Sequence, residues 1–304
     1  MENPFKFSAP MAMIRRLYHS NRFARRLLAA PAGFRWLMLE HKYGNQNAVA
    51  RRLGERIVGD VVIDVPEFSG QFACSPQSDL FHRIISDGQY EPAMAELLRK
   101  HLVPTRDFVD VGANIGFYSV LAAKVLTTGR VLAFEPNPAA HRRLNDNLSR
   151  NHVADRVEVF QGLASDCEGE AELHLIEGME EYSSMGQIIH RSVKDQAKTS
   201  TIAASTTVDQ LVSRFELSPA VIKIDVEGAE QLVINGALET LRRFRPVVIA
   251  ECSRALLSPM GATPEAIIAG FEDLGYLVFD ADDPTLAPAS RDYGDILCLP
   301  GELL

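Results

Sequence analysis

The chain of 304 residues is poor in pairable cysteine and in long apolar runs, and it lacks a Gly-Lys-Ser/Thr phosphate loop. Its four cysteines, Cys74, Cys167, Cys252 and Cys298, lie far apart, with no C-x-x-C and no Cys/His cluster. A disulfide scaffold and a zinc finger are therefore excluded, and reduced thiols in a cytoplasmic protein are the expectation. A membrane span needs roughly 20 apolar residues, and arginines interrupt every stretch of that length. The opening "MENPFKFSAPMAMIRRLYHSNRFARRLL" has no unbroken apolar core of the secretory kind, and serine is scarce for a transit peptide.

Positive charge is scarce outside the first 60 residues. That segment holds 11 Lys/Arg against 4 Asp/Glu, so +7; with a net charge of -9, the remainder carries -16. An acidic body argues against nucleic acid as the main partner. Residues 1–55 read as a basic helical arm, with Met11, Ile14, Leu17 and Tyr18 at helical spacing. Such an arm suits packing on the body, contact with a second copy of the chain, or an anionic membrane surface.

The rest, 56–304, alternates. Two short strands are expected in 56–76 and a helix in 90–102. Strands at 107–112, 130–136, 156–162, 220–228, 246–252 and 276–281 are separated by helical patterns at 116–127, 138–151, 207–215, 229–244 and 263–273. "EAELHLIE" (170–177) reads as an added strand and "GDILCLP" (294–300) closes the chain. Nearly continuous apolar strands between helices predict an α/β fold with a mostly parallel sheet covered on both faces.

Ligands in such sheets sit beyond the carboxyl ends of the strands. The first central strand ends in "DVGANIG" (110–116). A dinucleotide loop wants glycine where Asn114 stands, so that backbone can approach a pyrophosphate, and glycine again where Phe117 stands. Asp110 beside the loop repels phosphate and suits an ammonium group. The second strand ends in Glu135, placed to accept both hydroxyls of a ribose. A ribose diol and an amino-acid tail without phosphate describe S-adenosylmethionine. The third strand ends "GLASDC", where Leu163 or Ala164 can edge an adenine.

"DGQYEP" (87–92), "FVDVGANIGFYS" (108–119), "AFEPNP" (133–138), "TTVDQL" (206–211), "VIKIDVEGAE" (221–230) and "YGDILCL" (293–299) together resemble the FkbM-type S-adenosylmethionine-dependent methyltransferases. The resemblance spans about residues 55–300 and leaves the arm unexplained. It implies the class I methyltransferase (Rossmann-like) fold: seven strands, the last antiparallel in a hairpin with its neighbour. It implies O-methylation of a sugar, glycan or secondary-metabolite hydroxyl. It also implies that Asp110, Gly112, Asn114, Gly116, Ser119, Glu135 and Asn137 line the cofactor. Glu91 either faces the methionine end or is a helix N-terminal charge.

An alcohol must lose its proton as it accepts a methyl group, and a positioned base typically gives 10²–10⁴-fold. "IKIDVEGAE" spaces Lys223, Asp225 and Glu227 by two, which places them on one face of the fourth strand with Asp225 at its end, beside the cofactor. They are read as catalytic, or as a self-satisfied ion pair that shapes the pocket. Glu230 reads as a helix-terminus charge. Glu251, after the fifth strand, is a candidate for the acceptor. Asp225, Glu227 and Glu251 could gather a divalent ion, but no histidine stands near them in sequence, and no metal is expected. The polar stretch 177–205 is read as an acceptor lid, with Tyr182, Ser183 and Ser184 touching substrate and His190 as a second base candidate. Two rival readings remain: a nicotinamide-dependent oxidoreductase, opposed by Asn114 and Phe117, and a non-catalytic scaffold that binds S-adenosylmethionine.

Overall fold

A computed structural model describes residues 54, 57–176, 183–185, 198–282 and 294–303. They belong to one compact unit, Leu53–Leu304. The arm before Gly54, Tyr182, His190 and most of the expected lid lie outside the described residues.

Seven strands form the main sheet: β3 (Asp107–Val111), β4 (Val131–Phe134), β5 (Val157–Phe160), β9 (Pro219–Ile224), β10 (Val247–Glu251), β11 (Tyr276–Asp280) and β12 (Asp295–Pro300). Their order is β11-β12-β10-β9-β3-β4-β5. The pairs β3–β4, β3–β9, β4–β5 and β9–β10 are parallel, while β12 runs antiparallel to both β10 and β11. This is the class I methyltransferase topology, including its terminal hairpin. Order reverses at β3, the first strand laid down, so the carboxyl ends of β4, β3 and β9 frame the switch point where α/β sheets bind ligands.

The central strands are buried throughout because both faces are covered. Alternation splits each strand between two cores. Phe108, Ala133, Val221 and Ile249 join one core with α2 (Pro92–His101), α3 (Phe117–Val125) and α4 (Pro138–Arg150). Val109, Val111, Leu132, Ile222 and Val248 join the other with α5 (Val208–Arg214), α6 (Glu230–Asn235), α7 (Leu238–Phe244) and α9 (Pro264–Asp273). α8 (Arg254–Leu257) is a single turn between β10 and α9.

Three elements differ from expectation. A helix, α1 (Asp79–Asp87), follows the first hairpin, capped by Ser78 accepting from the Phe81 N–H at 3.1 Å. The helix expected over 229–244 is two, broken at Gly236–Ala237. Tertiary contacts impose the break: a Cβ on Gly236 would lie 2.0 Å from the Ser165 carbonyl, and Asp209 accepts from the N–H groups of Glu239 and Thr240 at 2.9 and 2.7 Å. The end of the expected lid, Lys198–Thr206, is strand β8. It pairs antiparallel with β7 (Gly169–Ile176) and parallel with the two-residue β6 (Leu163–Ala164).

The hairpin of β1 (Val61–Val65) and β2 (Gly70–Cys74) is held to the body by Asn147 of α4 and by Asn151, which caps that helix. Asn147 brackets Ala73, accepting its N–H at 2.7 Å and donating to its carbonyl at 3.1 Å. Asn151 brackets Gln71 likewise at 3.1 and 2.7 Å. The match is geometric: four residues along a helix rise about 6 Å, and two along a strand about 6.6 Å.

Candidate active site

The loop after β3 is shaped by alternating left-handed backbone. Gly112, Asn114 and Gly116 have φ of 80°, 51° and 95°. A Cβ at Gly112 would lie 1.8 Å from the Asp225 carbonyl oxygen. Asparagine tolerates the left-handed region better than most residues, which suits it to the place of a glycine at position 114. The Asn114 N–H donates to Glu135 Oε2 at 2.7 Å, and the Asn137 N–H donates to Glu135 Oε1 at 2.8 Å. Glu135 thus staples its own loop to the glycine loop, a task its place at a strand end did not reveal.

A cavity opens above these strand ends. Glu91, Gly112, Asn114, Glu135, Leu163, Ala164, Ser183, Ser184, Lys223, Asp225, Glu227 and Glu251 line it. Four residues expected to line a cofactor, Asp110, Gly116, Ser119 and Asn137, stand behind the cavity wall. Asp110 is fully buried, receives the Ser119 hydroxyl at 2.6 Å, and lies with Ser119 inside the fold rather than on the cavity wall. Burial raises its pKa against the opposing pull of Lys223 and Ser119. Gly116 serves helix packing, since a Cβ there would lie 2.5 Å from Leu144 Cδ1. Asn137 caps α4, accepting from Ala139 N–H at 2.8 Å, and donates to the Ser183 hydroxyl at 2.7 Å.

One wall carries a linked polar row. Arg83 donates to Glu91 at 3.2 Å, Tyr118 donates to the other Glu91 oxygen at 2.6 Å, and Lys223 Nζ lies 4.6 Å from the Tyr118 ring centre. Lys223 in turn donates to Asp225 Oδ2 at 3.0 Å. Glu91 is itself left-handed, with φ of 42°, at the start of α2 with Pro92 in the first helical position. Burial alone would lower the Lys223 pKa, but Asp225 and Asp110 outweigh it and hold the ammonium charged. The ion pair fixes Lys223 beside Asp225.

The acidic residues meet by a different route from the one that spacing suggested. β9 ends at Ile224, so Glu227 is not on the strand: it sits in the following turn with φ of 54°. Even so, Asp225, Glu227 and Glu251 bring carboxylate oxygens within 4.8 Å of one another. Glu230 opens α6, the helix terminus where it was expected, but it is buried there. It is 1% exposed and accepts the N–H groups of Val226 and Gly228 at 3.2 and 3.1 Å, which holds the turn. Burial pushes its pKa up to about 7 despite those bonds. Glu251 is raised well above the carboxylate range by burial, then by Asp225 and Glu227.

Among the cavity residues that sequence reading missed are the polar side chains of Asp79, Arg83, Tyr118 and Asp295. Asp295 opens β12 directly opposite Glu251 in register, and its pKa is pushed up to about 7 by burial and then by Asp225. An acid heading an apolar strand was the available signal. The described part of the lid reaches the site: the Ser184 hydroxyl donates to the Glu227 carbonyl at 2.7 Å, and Ser184 forms a bridge with His174.

The fold and this cavity at its switch point define a class I methyltransferase domain. Residues 110–278, more than half of the chain, match the Methyltransferase FkbM domain, and the chain belongs to that family. It is similar to the hexuronic acid methyltransferase AglP of Haloferax volcanii, at 25% identity over 193 residues, covering 62% of this chain and 73% of that protein. It is similar to the methyltransferase sdnD of Sordaria araneosa, at 27% identity over 199 residues, covering 57% and 75%. Among solved structures it is similar to a methyltransferase FkbM from Methylobacillus flagellatus KT, at a TM-score of 0.42 and 16% identity, covering 64% of this chain and 43% of that one. No helix among the described residues is long and apolar enough to cross a membrane.

Proposed function

We propose that this methyltransferase uses S-adenosylmethionine to methylate a hydroxyl of a sugar, glycan or secondary metabolite. One observation carries the reading: carboxylates stand in a row across the strand ends. In sheet order the carboxyl ends of β5, β4, β3, β9 and β10 and the segments just beyond them present Leu163–Ala164, Glu135, Gly112–Asn114, Asp225 and Glu251 to one cavity. With strands 4.7–4.9 Å apart, Glu135 and Glu251 stand about 15 Å apart along this row. Apolar Leu163 and Ala164 suit an adenine, Glu135 a ribose diol, and the Gly112 loop with Glu91 an amino-acid end.

The wall carries seven carboxylates against Arg83 and Lys223. A pyrophosphate would meet like charge there, whereas an ammonium and a sulfonium meet opposite charge. That disfavours the nicotinamide reading. When bound, the cofactor supplies an electrophilic methyl group. The Gly112 loop, Glu91 and Glu135 would hold the cofactor, Lys223 orients Asp225, and Asp225 and Glu227 stand where the acceptor would lose its proton.

The similarity to a hexuronic acid methyltransferase supports a sugar acceptor. The four cysteines lie far apart in the sequence with no C-x-x-C, which suits a reducing compartment, and we place the enzyme in the cytoplasm on that ground. The basic arm at 1–55 remains assigned to self-association or an anionic surface. Incubation with methyl-labelled S-adenosylmethionine and fractionated glycans and metabolites tests the acceptor class. Label in a methyl ether of a sugar supports it; label only in protein or nucleic acid refutes it.

A further inference from the structure

The geometry points to a divalent-cation site formed by Asp225, Glu227 and Glu251 at the acceptor end of the cavity, suited to Mg²⁺ or Mn²⁺. Their carboxylate oxygens lie within 4.8 Å of one another. A hard cation with oxygen ligands at 2.0–2.6 Å sets opposite ligands about 4–5 Å apart. One ion can therefore join all three with little movement.

An acidic cluster alone is common on protein surfaces, and a second feature distinguishes this one. Glu251 is 7% exposed, and its Oε2 has no hydrogen-bond partner among the described residues. A buried carboxylate oxygen without a partner is costly, and here it belongs to the group of three. The Lys223 ammonium is 3.0 Å from Asp225 Oδ2, at the edge of the group of three. The turn that presents Glu227 is held in a left-handed conformation by Glu230, which binds the N–H groups on both sides of it.

Three protein carboxylates leave coordination positions open, since Mg²⁺ and Mn²⁺ take six oxygen ligands. An oxygen of the acceptor completes the shell. The cation also lets an anionic acceptor approach a wall that is otherwise acidic. This placement beside the acceptor rests on the methyltransferase reading of the cavity; binding of the cation does not.

The full chain is titrated with Mn²⁺ alone, free ion being read by electron paramagnetic resonance. One saturable site per chain is expected, with Kd on the order of 10⁻⁴ M. Glu251→Gln and Glu227→Gln should each weaken uptake at least about tenfold, which is about 1.4 kcal/mol. Glu170→Gln, an exposed change on β7, should leave it unaltered. Absence of saturable uptake by the unaltered chain overturns the site whatever the variants do. So does equal uptake by the two trio variants when their circular dichroism matches the parent. Parallel calorimetry with S-adenosylhomocysteine separates the failures: Mn²⁺ uptake without nucleoside binding refutes the cofactor reading, and nucleoside binding without Mn²⁺ uptake refutes the cation site.

Discussion

The carbonyl oxygen of Asp225 fills the space where a side chain of Gly112 would begin, 1.8 Å from the ideal Cβ position. The Asp225 N–H also donates to the Val111 carbonyl at 3.0 Å. The cofactor loop and the acidic loop are therefore packed backbone to backbone, and neither shifts without the other.

Gly112→Ala should be severe on two counts: overlap with Asp225 and a φ of 80°. Strain and overpacking together should cost roughly 2–4 kcal/mol. Urea unfolding checks this, and binding of S-adenosylhomocysteine should be lost in parallel.

Glu135→Gln keeps the size of the staple but replaces one of two charged acceptors with an amide, so either Asn114 or Asn137 loses its partner. Losing a charge-assisted bond costs about 1.5–3 kcal/mol. Affinity for S-adenosylhomocysteine should fall by about tenfold or more in calorimetry, and Glu135→Ala should abolish it.

Asp225→Asn leaves the Gly112 contact intact, because that contact is made by backbone. Nucleoside affinity should stay within a few-fold. Turnover should drop by about 10²–10⁴ if Asp225 takes part in proton removal. Unchanged turnover would remove Asp225 from the chemistry.

Glu230 couples stability to pH with an unusual sign. Its ordinary value is 4.5 and its folded value about 7. Below pH 4.5 the group is protonated in both states and costs nothing. Between these values the unfolded chain releases the proton while the folded chain keeps it, so stability falls as pH rises, by a total on the order of 3 kcal/mol. Glu230→Gln retains the acceptor for Val226 and Gly228 and removes the ionisation. It should raise Tm at pH 8 and flatten the decline between pH 5 and 8.

Strands and loops whose shape depends on local chemistry were legible. Apolar runs marked the buried strands, and "DVGANIG" and "FEPNP" marked the ligand loops at the switch point. Features decided by distant residues were not. Asp110 looks like a loop acid in sequence, yet its side chain turns into the core to Ser119. Period-two spacing put Glu227 on a strand that ends three residues earlier, and only the left-handed turn held by Glu230 returns it to Asp225. The split of the 229–244 helix depends on Asp209 and Ser165, and strand β8 was hidden in a polar stretch because it buries Ser205 and Thr206 and exposes Ile202, the reverse of an apolar-inward pattern.

The most direct measurement is calorimetry of the full chain against S-adenosylhomocysteine and NADH. The row of strand-end carboxylates predicts one S-adenosylhomocysteine per chain, no heat of binding with NADH, and loss of the former in Glu135→Ala. Tight uptake of NADH with no uptake of S-adenosylhomocysteine would contradict it.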